Sequence, residues 1–138
     1  MKVYLSNKSP SDQSFKHCAN LAVLDAAASD SEITKLTIDC FLCSFSFEEV
    51  GEAMTQILKK CRMNCEVTVM EADCNMLFRL YTRGDIDLEY FNTLFFESSK
   101  RCILNMPTIE SLIPENFKVE EKYISNSAYS IVKLRRVK

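Results

Sequence analysis

Glycine is nearly missing from this chain: Gly51 and Gly84 are the only two in 138 residues. With no clustered glycines, no glycine-rich loop that cradles a phosphate exists anywhere in the sequence. His17 is the only histidine. Its neighbour Cys18 does not make it a nucleophile–base pair, because adjacent residues on a helix point about 100° apart. No segment approaches the ~20 apolar residues of a membrane span. The longest apolar patch, Cys40 to Phe47, is interrupted by Ser44 and Ser46. An excess of positive charge is also lacking. The net charge is −2 and the pI about 5.5, which disfavours a nucleic-acid groove. The one basic cluster, Lys133, Arg135, Arg136 and Lys138, reads as a solvated terminus. The start, Met1-Lys2-Val3-Tyr4-Leu5, turns polar at Ser6 before a signal-peptide core of ~7–15 apolar residues could form.

What is present fits a globular protein. Hydrophobic residues make up 47% and charged residues 26%, so a packed core is expected over one domain, residues 1–138. Seven cysteines point to a reducing, cytoplasmic setting, and an odd number cannot all pair within the chain. Cys18, Cys40, Cys43, Cys74 and Cys102 lie in apolar runs and are expected as buried free thiols.

Alternation predicts a strand over 2–5, ended by Pro10. Ser11 is expected to cap a helix from Asp12, with Phe15, Cys18 and Ala19 on one face and Asn20 at its end. Leu21-Ala22-Val23-Leu24, closed by Asp25, reads as a short buried parallel strand, followed by a loop or short helix over 26–35. Leu36 to Phe45 is the strongest strand signal, with Asp39 its only charge. Glu48 to Arg62 has helical spacing, with Val50, Ala53, Met54, Ile57, Leu58 and Cys61 on one stripe. Cys65 to Met70 reads as a strand. Helices are expected over Asn75 to Thr82, capped by Asp73, over Asp87 to Glu97, and as one turn over Thr108 to Ile113. Phe117 to Ile124 and Ala128 to Arg136 form a hairpin around Ser125-Asn126-Ser127. Strands alternating with helices predict an α/β fold: a Rossmann-like, mostly parallel sheet with helices on both faces and a C-terminal antiparallel hairpin.

In that order, several strings resemble class I S-adenosylmethionine-dependent methyltransferases. Val3-Tyr4-Leu5-Ser6-Asn7 resembles the first strand and its turn, and Leu24-Asp25 the second strand with its ribose-holding acid. Ile38-Asp39-Cys40-Phe41-Leu42-Cys43-Ser44-Phe45 resembles the fourth strand, and Phe47-Glu48-Glu49-Val50 the helix that follows. Ile57-Leu58-Lys59-Lys60-Cys61-Arg62-Met63-Asn64-Cys65 and Glu66-Val67-Thr68-Val69-Met70-Glu71-Ala72-Asp73 resemble the approach to the fifth strand and that strand with its acidic end. Asn116-Phe117-Lys118-Val119 and Tyr129-Ser130-Ile131-Val132-Lys133-Leu134-Arg135 resemble the last two. The resemblance implies a cofactor crevice lined by Leu5, Ser6, Asn7, Asp25, Ser44 and Phe45.

The departures bear on function. Where the family's first turn carries glycines, this chain reads Ser6-Asn7-Lys8-Ser9. Side chains then stand where a backbone would approach the cofactor. The stretch from Asp25 to Leu36 is too short for a third strand with its helix, and Asn64-Cys65 replaces paired glycines. The expectation is a methyltransferase-like protein of degenerate cofactor site, acting as a non-catalytic binding or interaction module. The alternatives are an active minimal methyltransferase and a structural oligomer-forming subunit. No cofactor is expected for the first reading, while S-adenosylmethionine belongs to the second.

Other candidates read as structure. Cys40-x-x-Cys43 and Cys61-x-x-x-Cys65 approach zinc-ribbon spacing, but on a strand Cys40 and Cys43 would face opposite ways, so no metal is expected. Within the acidic group Glu71, Asp73, Asp85, Asp87 and Glu89, Asp73 and Asp87 are expected as helix caps. Tyr81, Tyr90, Phe91, Phe95 and Phe96 should be mostly core, with some apolar surface left for a protein partner or a second copy rather than a membrane or nucleic acid.

Overall fold

The computed structural model describes residues 1–96 and 100–138. Six strands form one sheet: β1 (Lys2–Leu5), β2 (Lys16–Cys18), β3 (Ile33–Asp39), β4 (Cys61–Ala72), β5 (Phe117–Ile124) and β6 (Tyr129–Arg136). Their spatial order is β2-β1-β3-β4-β6-β5. The first four run parallel, and β6 lies antiparallel between β4 and β5. Helix α1 (Leu21–Ala27) leads from β2 to β3, and α2 (Val50–Lys59) from β3 to β4. Helices α3 (Cys74–Thr82), α4 (Leu88–Phe95) and α5 (Met106–Ser111) precede the closing hairpin. This is the expected mostly parallel sheet with an antiparallel end. Among the described residues, no helix is long and apolar enough to cross a membrane.

Register explains the core. Val3, Leu36, Val67 and Leu134 pair across four strands in one row, and Leu5, Ile38, Val69 and Val132 in the next. In-register residues point to one face, and all eight are essentially inaccessible. Each such burial is worth roughly 1.5–3 kcal/mol. Leu24 of α1, Met54 and Ile57 of α2 and Ile109 of α5 complete this core. Helices α3 and α4 pack by Leu77 and Phe91 over Ala72 and Tyr129. Ala72 is three residues from Val69, so this second cluster lies on the other face. The rest of that face is polar, in rows such as Lys2, Lys35, Glu66 and Arg135.

Three local expectations are corrected. Residues 12–20 form no helix: Lys16–Cys18 pairs with β1 as a parallel edge strand, satisfying backbone groups that β1 would otherwise expose. Leu21–Leu24 is the first turn of α1, not a strand. Asn20 caps it by accepting from the Val23 N–H (2.9 Å), and Leu24 is its one fully buried residue. An apolar run of four cannot by itself distinguish strand from helix. The chain therefore passes from β2 through α1 straight to β3, and among the described residues no strand lies beyond β2. Finally, the strand expected to reach Phe45 stops at Asp39. Cys40 adopts φ 48°, and Leu42–Ser44 forms a 3-10 turn.

The remaining boundaries shift less. Helix α2 is shorter than Glu48–Arg62, and β4 begins at Cys61 and absorbs a bulge before Glu66. Helix α5 starts at Met106, with Pro107 inside its first turn. Helix α4 runs to Phe95, and the expected end at Glu97 lies outside the described residues.

Asp73 ties the end of β4 to three elements. Its carboxylate accepts from the N–H of Met76 (2.8 Å) at the start of α3, from the N–H of Met106 (3.0 Å) at α5, and from the hydroxyl of Ser130 (2.7 Å) on β6. Asp73 and Ser130 are both buried. Asp87 caps α4 alone, at an exposed site, through Tyr90 N–H (2.7 Å). Both are thus the caps expected. Asp73→Ala removes a cap and strands buried donors, so it should lower unfolding free energy by about 3 kcal/mol, against about 1 for Asp87→Ala. Urea denaturation of the two variants checks this, and equal losses would contradict the anchoring role of Asp73.

Candidate functional site

The carboxyl ends of β1 and β3 open onto a cavity of about 390 Å³. Ser6, Asn7 and Lys8 from the turn after β1 line one side, and Asp39, Cys40 and Cys43 from the end of β3 line another. Leu94, Lys100 and Tyr129 complete it. The position is the crevice where open α/β sheets hold ligands.

The turn after β1 closes on itself. Ser6 N–H donates to the Cys18 carbonyl (3.3 Å), and the His17 ring Nε2 donates to the Ser6 carbonyl (2.7 Å). Lys8 N–H donates to Ser6 Oγ (3.2 Å). His17 is therefore a strand residue latching this turn, not the helix residue expected. The turn after β3 is held from beneath. Glu71, 1% exposed on β4, accepts from the Leu42 N–H (2.6 Å). Cys43 Sγ donates to the Cys40 carbonyl (3.3 Å), and Ser44 Oγ to the Phe41 carbonyl (2.6 Å).

Electrostatics keep the thiols and phenols of the site neutral. Burial, then the negative charges of Glu71 and Asp39, push the Cys40 thiol up to about 12. Burial and Glu71 raise Cys43 further. Tyr4 donates its hydroxyl to Asp39, and burial followed by that bond pushes the phenol up to about 12. Tyr129 reaches about 12 through burial and the nearby Cys40. Burial pushes the Glu71 carboxyl up to about 7 despite the N–H groups it accepts. The lining thus presents neutral thiols and phenols, and no ionised sulfur or phenolate is poised for attack at neutral pH.

Of the residues expected to line a cofactor crevice, Ser6 and Asn7 do line the cavity. Leu5 is fully buried in the core. Ser44 is tied to Phe41, and Phe45 packs edge-on against the Phe41 ring (centroids 5.5 Å apart). Asp25 lies on α1 and pairs with Lys60 (3.0 Å), whose Nζ also donates to the Ala28 carbonyl (2.8 Å). The structure therefore separates Asp25 from Ser6 and Asn7. Sequence reasoning missed Lys8, Asp39, Cys40, Cys43, Leu94, Lys100 and Tyr129. Asp39, the one charge in the strand expected over Leu36–Phe45, was the available signal.

Cys40 and Cys43 do not face opposite ways as a strand would require; the turn brings both to the cavity. Cys61 sits beside Ile33, at the other end of β3, so the two cysteine pairs are roughly 20 Å apart and cannot share a metal. All seven cysteines are free thiols; Cys40, Cys74 and Cys102 are half-buried rather than buried. The aromatic helices are less buried than expected. Phe91 and Phe95 stack at 4.4 Å, but no residue of α4 is fully buried, and Phe78, Tyr90 and Phe96 are exposed. The basic C-terminal residues are not a free tail: Arg135 on β6 pairs with Glu120 (2.6 Å) and Glu66 (3.2 Å), and Lys133 with Glu121 (2.9 Å).

No protein-family model and no curated protein matches the sequence. Solved structures do match. A 1,6-didemethyltoxoflavin-N1-methyltransferase from Burkholderia thailandensis, with S-adenosylhomocysteine bound, aligns at TM-score 0.59 and 10% identity over 99% of this chain and 62% of its own. The fold is methyltransferase-like. A putative type 11 methyltransferase from Sulfolobus solfataricus aligns at 0.56 and 9% identity, over 99% of this chain and 72% of its own. A SAM-dependent methyltransferase from Methanosarcina mazei aligns at 0.55 and 12% identity, over 89% and 66%. The chain thus spans about two thirds of the length of these methyltransferases.

S-adenosylmethionine does not fit the residues at this methyltransferase-like crevice. A nucleoside would need backbone approach at the turn after β1 and an acceptor at the end of β2. The Ser6–Lys8 turn uses its own Ser6 Oγ to hold the Lys8 N–H. At the end of β2, Cys18 is fully buried and the Asn20 carboxamide oxygen accepts from Val23. Asp25 is engaged by Lys60.

Glu71 supplies a pH test of the turn geometry. Its carboxyl lies above the usual value in the folded state, so it favours the fold below about pH 4.5 and loses that contribution as pH rises through about 7. Relative to Glu71→Gln, the protein should lose about 3 kcal/mol across that interval. Urea unfolding on either side of it measures the difference, and parallel profiles would show that Glu71 is not buried as described.

Proposed function

We propose that this chain is a methyltransferase-like binding or interaction module that does not catalyse methyl transfer. The observation carrying this reading is that Asp25, on α1, is committed to Lys60 at the end of α2, so that among the described residues no acid stands at the end of β2. The self-closed Ser6–Lys8 turn supports it, as does a cavity lining whose thiols and phenols stay protonated. Contact with a protein partner or a second copy would use the aromatic surface of α3 and α4, where Phe78, Leu88, Tyr90 and Phe96 are exposed. Seven thiols suit a reducing, cytoplasmic setting for this role.

One observation favours a second reading, an active minimal methyltransferase: a cavity persists at the carboxyl ends of β1 and β3, the edge at which such sheets hold ligands.

Titration calorimetry with S-adenosylmethionine and S-adenosylhomocysteine separates the two. The module reading predicts no saturable binding tighter than about 1 mM. Micromolar binding accompanied by methyl transfer to any acceptor would overturn it. Asp25→Ala should leave any crevice binding unchanged while lowering stability by less than about 1 kcal/mol, because the Asp25 carboxylate is largely exposed and the buried Lys60 keeps the Ala28 carbonyl as a partner. A selective loss of nucleoside binding in that variant would support the enzyme reading instead.

A further inference from the structure

The turn that ends β3 carries a Cys-x-x-Cys pair whose surroundings go beyond packing. Cys40 stands in the left-handed region, at φ 48°, a conformation that costs a non-glycine residue about 1 kcal/mol or more. That backbone reversal sends the chain into the Leu42–Ser44 turn and folds Cys43 back toward Cys40, with Cys43 Sγ 3.3 Å from the Cys40 carbonyl. Both residues line the same cavity. Their exposures differ: Cys40 is half-buried, whereas Cys43 is 6% exposed. Directly behind them lies the Glu71 carboxylate, which accepts from the intervening Leu42 N–H (2.6 Å) and is close enough to the Cys43 sulfur for each to shift the other's titration.

We propose that Cys40 and Cys43 are a redox pair that closes to an intramolecular disulfide by exchange with a small disulfide entering the crevice, with Glu71 accepting the Cys43 proton. Cys40 loses its proton to solvent and its thiolate attacks one sulfur of the small disulfide. That S–S bond breaks, a mixed disulfide forms on Cys40, and the first small thiolate leaves and takes a proton from water. The Cys43 proton passes to Glu71. The Cys43 thiolate then attacks the Cys40 sulfur, the mixed disulfide breaks, and the second small thiolate leaves, protonated from solvent as Glu71 gives up its proton. Two protein thiols are oxidised by two electrons, and one small disulfide is reduced to two thiols.

The environment sets the character of the pair. Burial and the neighbouring carboxylates hold both thiols protonated, so attack is slow at neutral pH. Sulfurs with such high thiol pKa values are poor leaving groups, so the bridge, once formed, resists thiol reduction. This describes a lasting latch on the crevice wall rather than a fast oxidant. Its chemistry does not depend on what the crevice binds. The other adjacent pair, Cys61 and Cys65, is fully buried at the far end of β3 and offers no entry to a disulfide reagent. Cys102 is the local competitor, since its Sγ donates to the Leu42 carbonyl at 3.7 Å.

Incubating the reduced full-length protein with oxidised glutathione, trapping with a maleimide after denaturation, and mapping peptides by mass spectrometry tests the pair. The expected result is five labelled thiols in place of seven, with Cys40 and Cys43 bridged within one peptide. Cys43→Ser should stop at one stable glutathione adduct on Cys40. Glu71→Gln should slow conversion of that adduct to the bridge by about 100-fold without changing the final product. Seven labelled thiols at equilibrium, a bridge from Cys43 to Cys102, or a persistent glutathione adduct on wild-type Cys40 would each overturn the proposal.

Discussion

The constraint on which this structure depends is that the polar groups at the carboxyl edge of its sheet are satisfied from within the chain. Buried backbone and side-chain polar groups must find partners or cost 1–3 kcal/mol or so each. Here Ser6 is matched by Cys18, His17 and Lys8, Leu42 by Glu71, and Asp73 by Met76, Met106 and Ser130. Among the described residues, no buried side-chain nitrogen or oxygen lacks a partner. An edge so closed is mechanically sound but leaves few directed donors for a ligand's polar groups.

That closure follows from what the chain omits. Without a glycine after β1, the turn there must be made by residues carrying Cβ atoms, and Ser6 and Lys8 hold it by a side-chain-to-backbone bond. With β2 at the edge of the sheet, the chain returns through α1, and Asp25 is carried to Lys60 instead of toward the crevice. The cavity that remains lies over β1 and β3 and against Tyr129, walled by side chains whose protons are held tightly. Architecture and site chemistry thus separate: the sheet is that of methyltransferases, while the cavity surface is this chain's own.

The sheet was legible in the sequence where long, strongly patterned segments carried it. The apolar alternation of Val67 and Val69, the α2 stripe from Val50 to Leu58 (though not Cys61, which opens β4), the Asp73 and Asp87 caps and the hairpin around Asn126 stand as read. What was not legible were short elements decided by tertiary pairing. Lys16–Cys18 is a strand because β1 offers an edge, not because its three residues prefer one. Leu21–Leu24 is a helix because Asn20 caps it and the alanines after Asp25 extend it. The site was less legible still. Nothing in Cys40 signals a left-handed backbone, and that single dihedral turns an apparent strand into the turn that assembles the cavity.

The first turn is held by its own hydrogen bonds, and the proposed module role requires that it stay closed to a nucleoside. A crystal structure determined with S-adenosylhomocysteine in large excess tests this most directly. The expected result is that the His17 ring remains bonded to the Ser6 carbonyl and Asp25 to Lys60, with no adenosine density against the ends of β1 and β2. Ordered nucleoside at that bend, with the Ser6–Lys8 backbone displaced to receive it, would show that the turn opens for a cofactor.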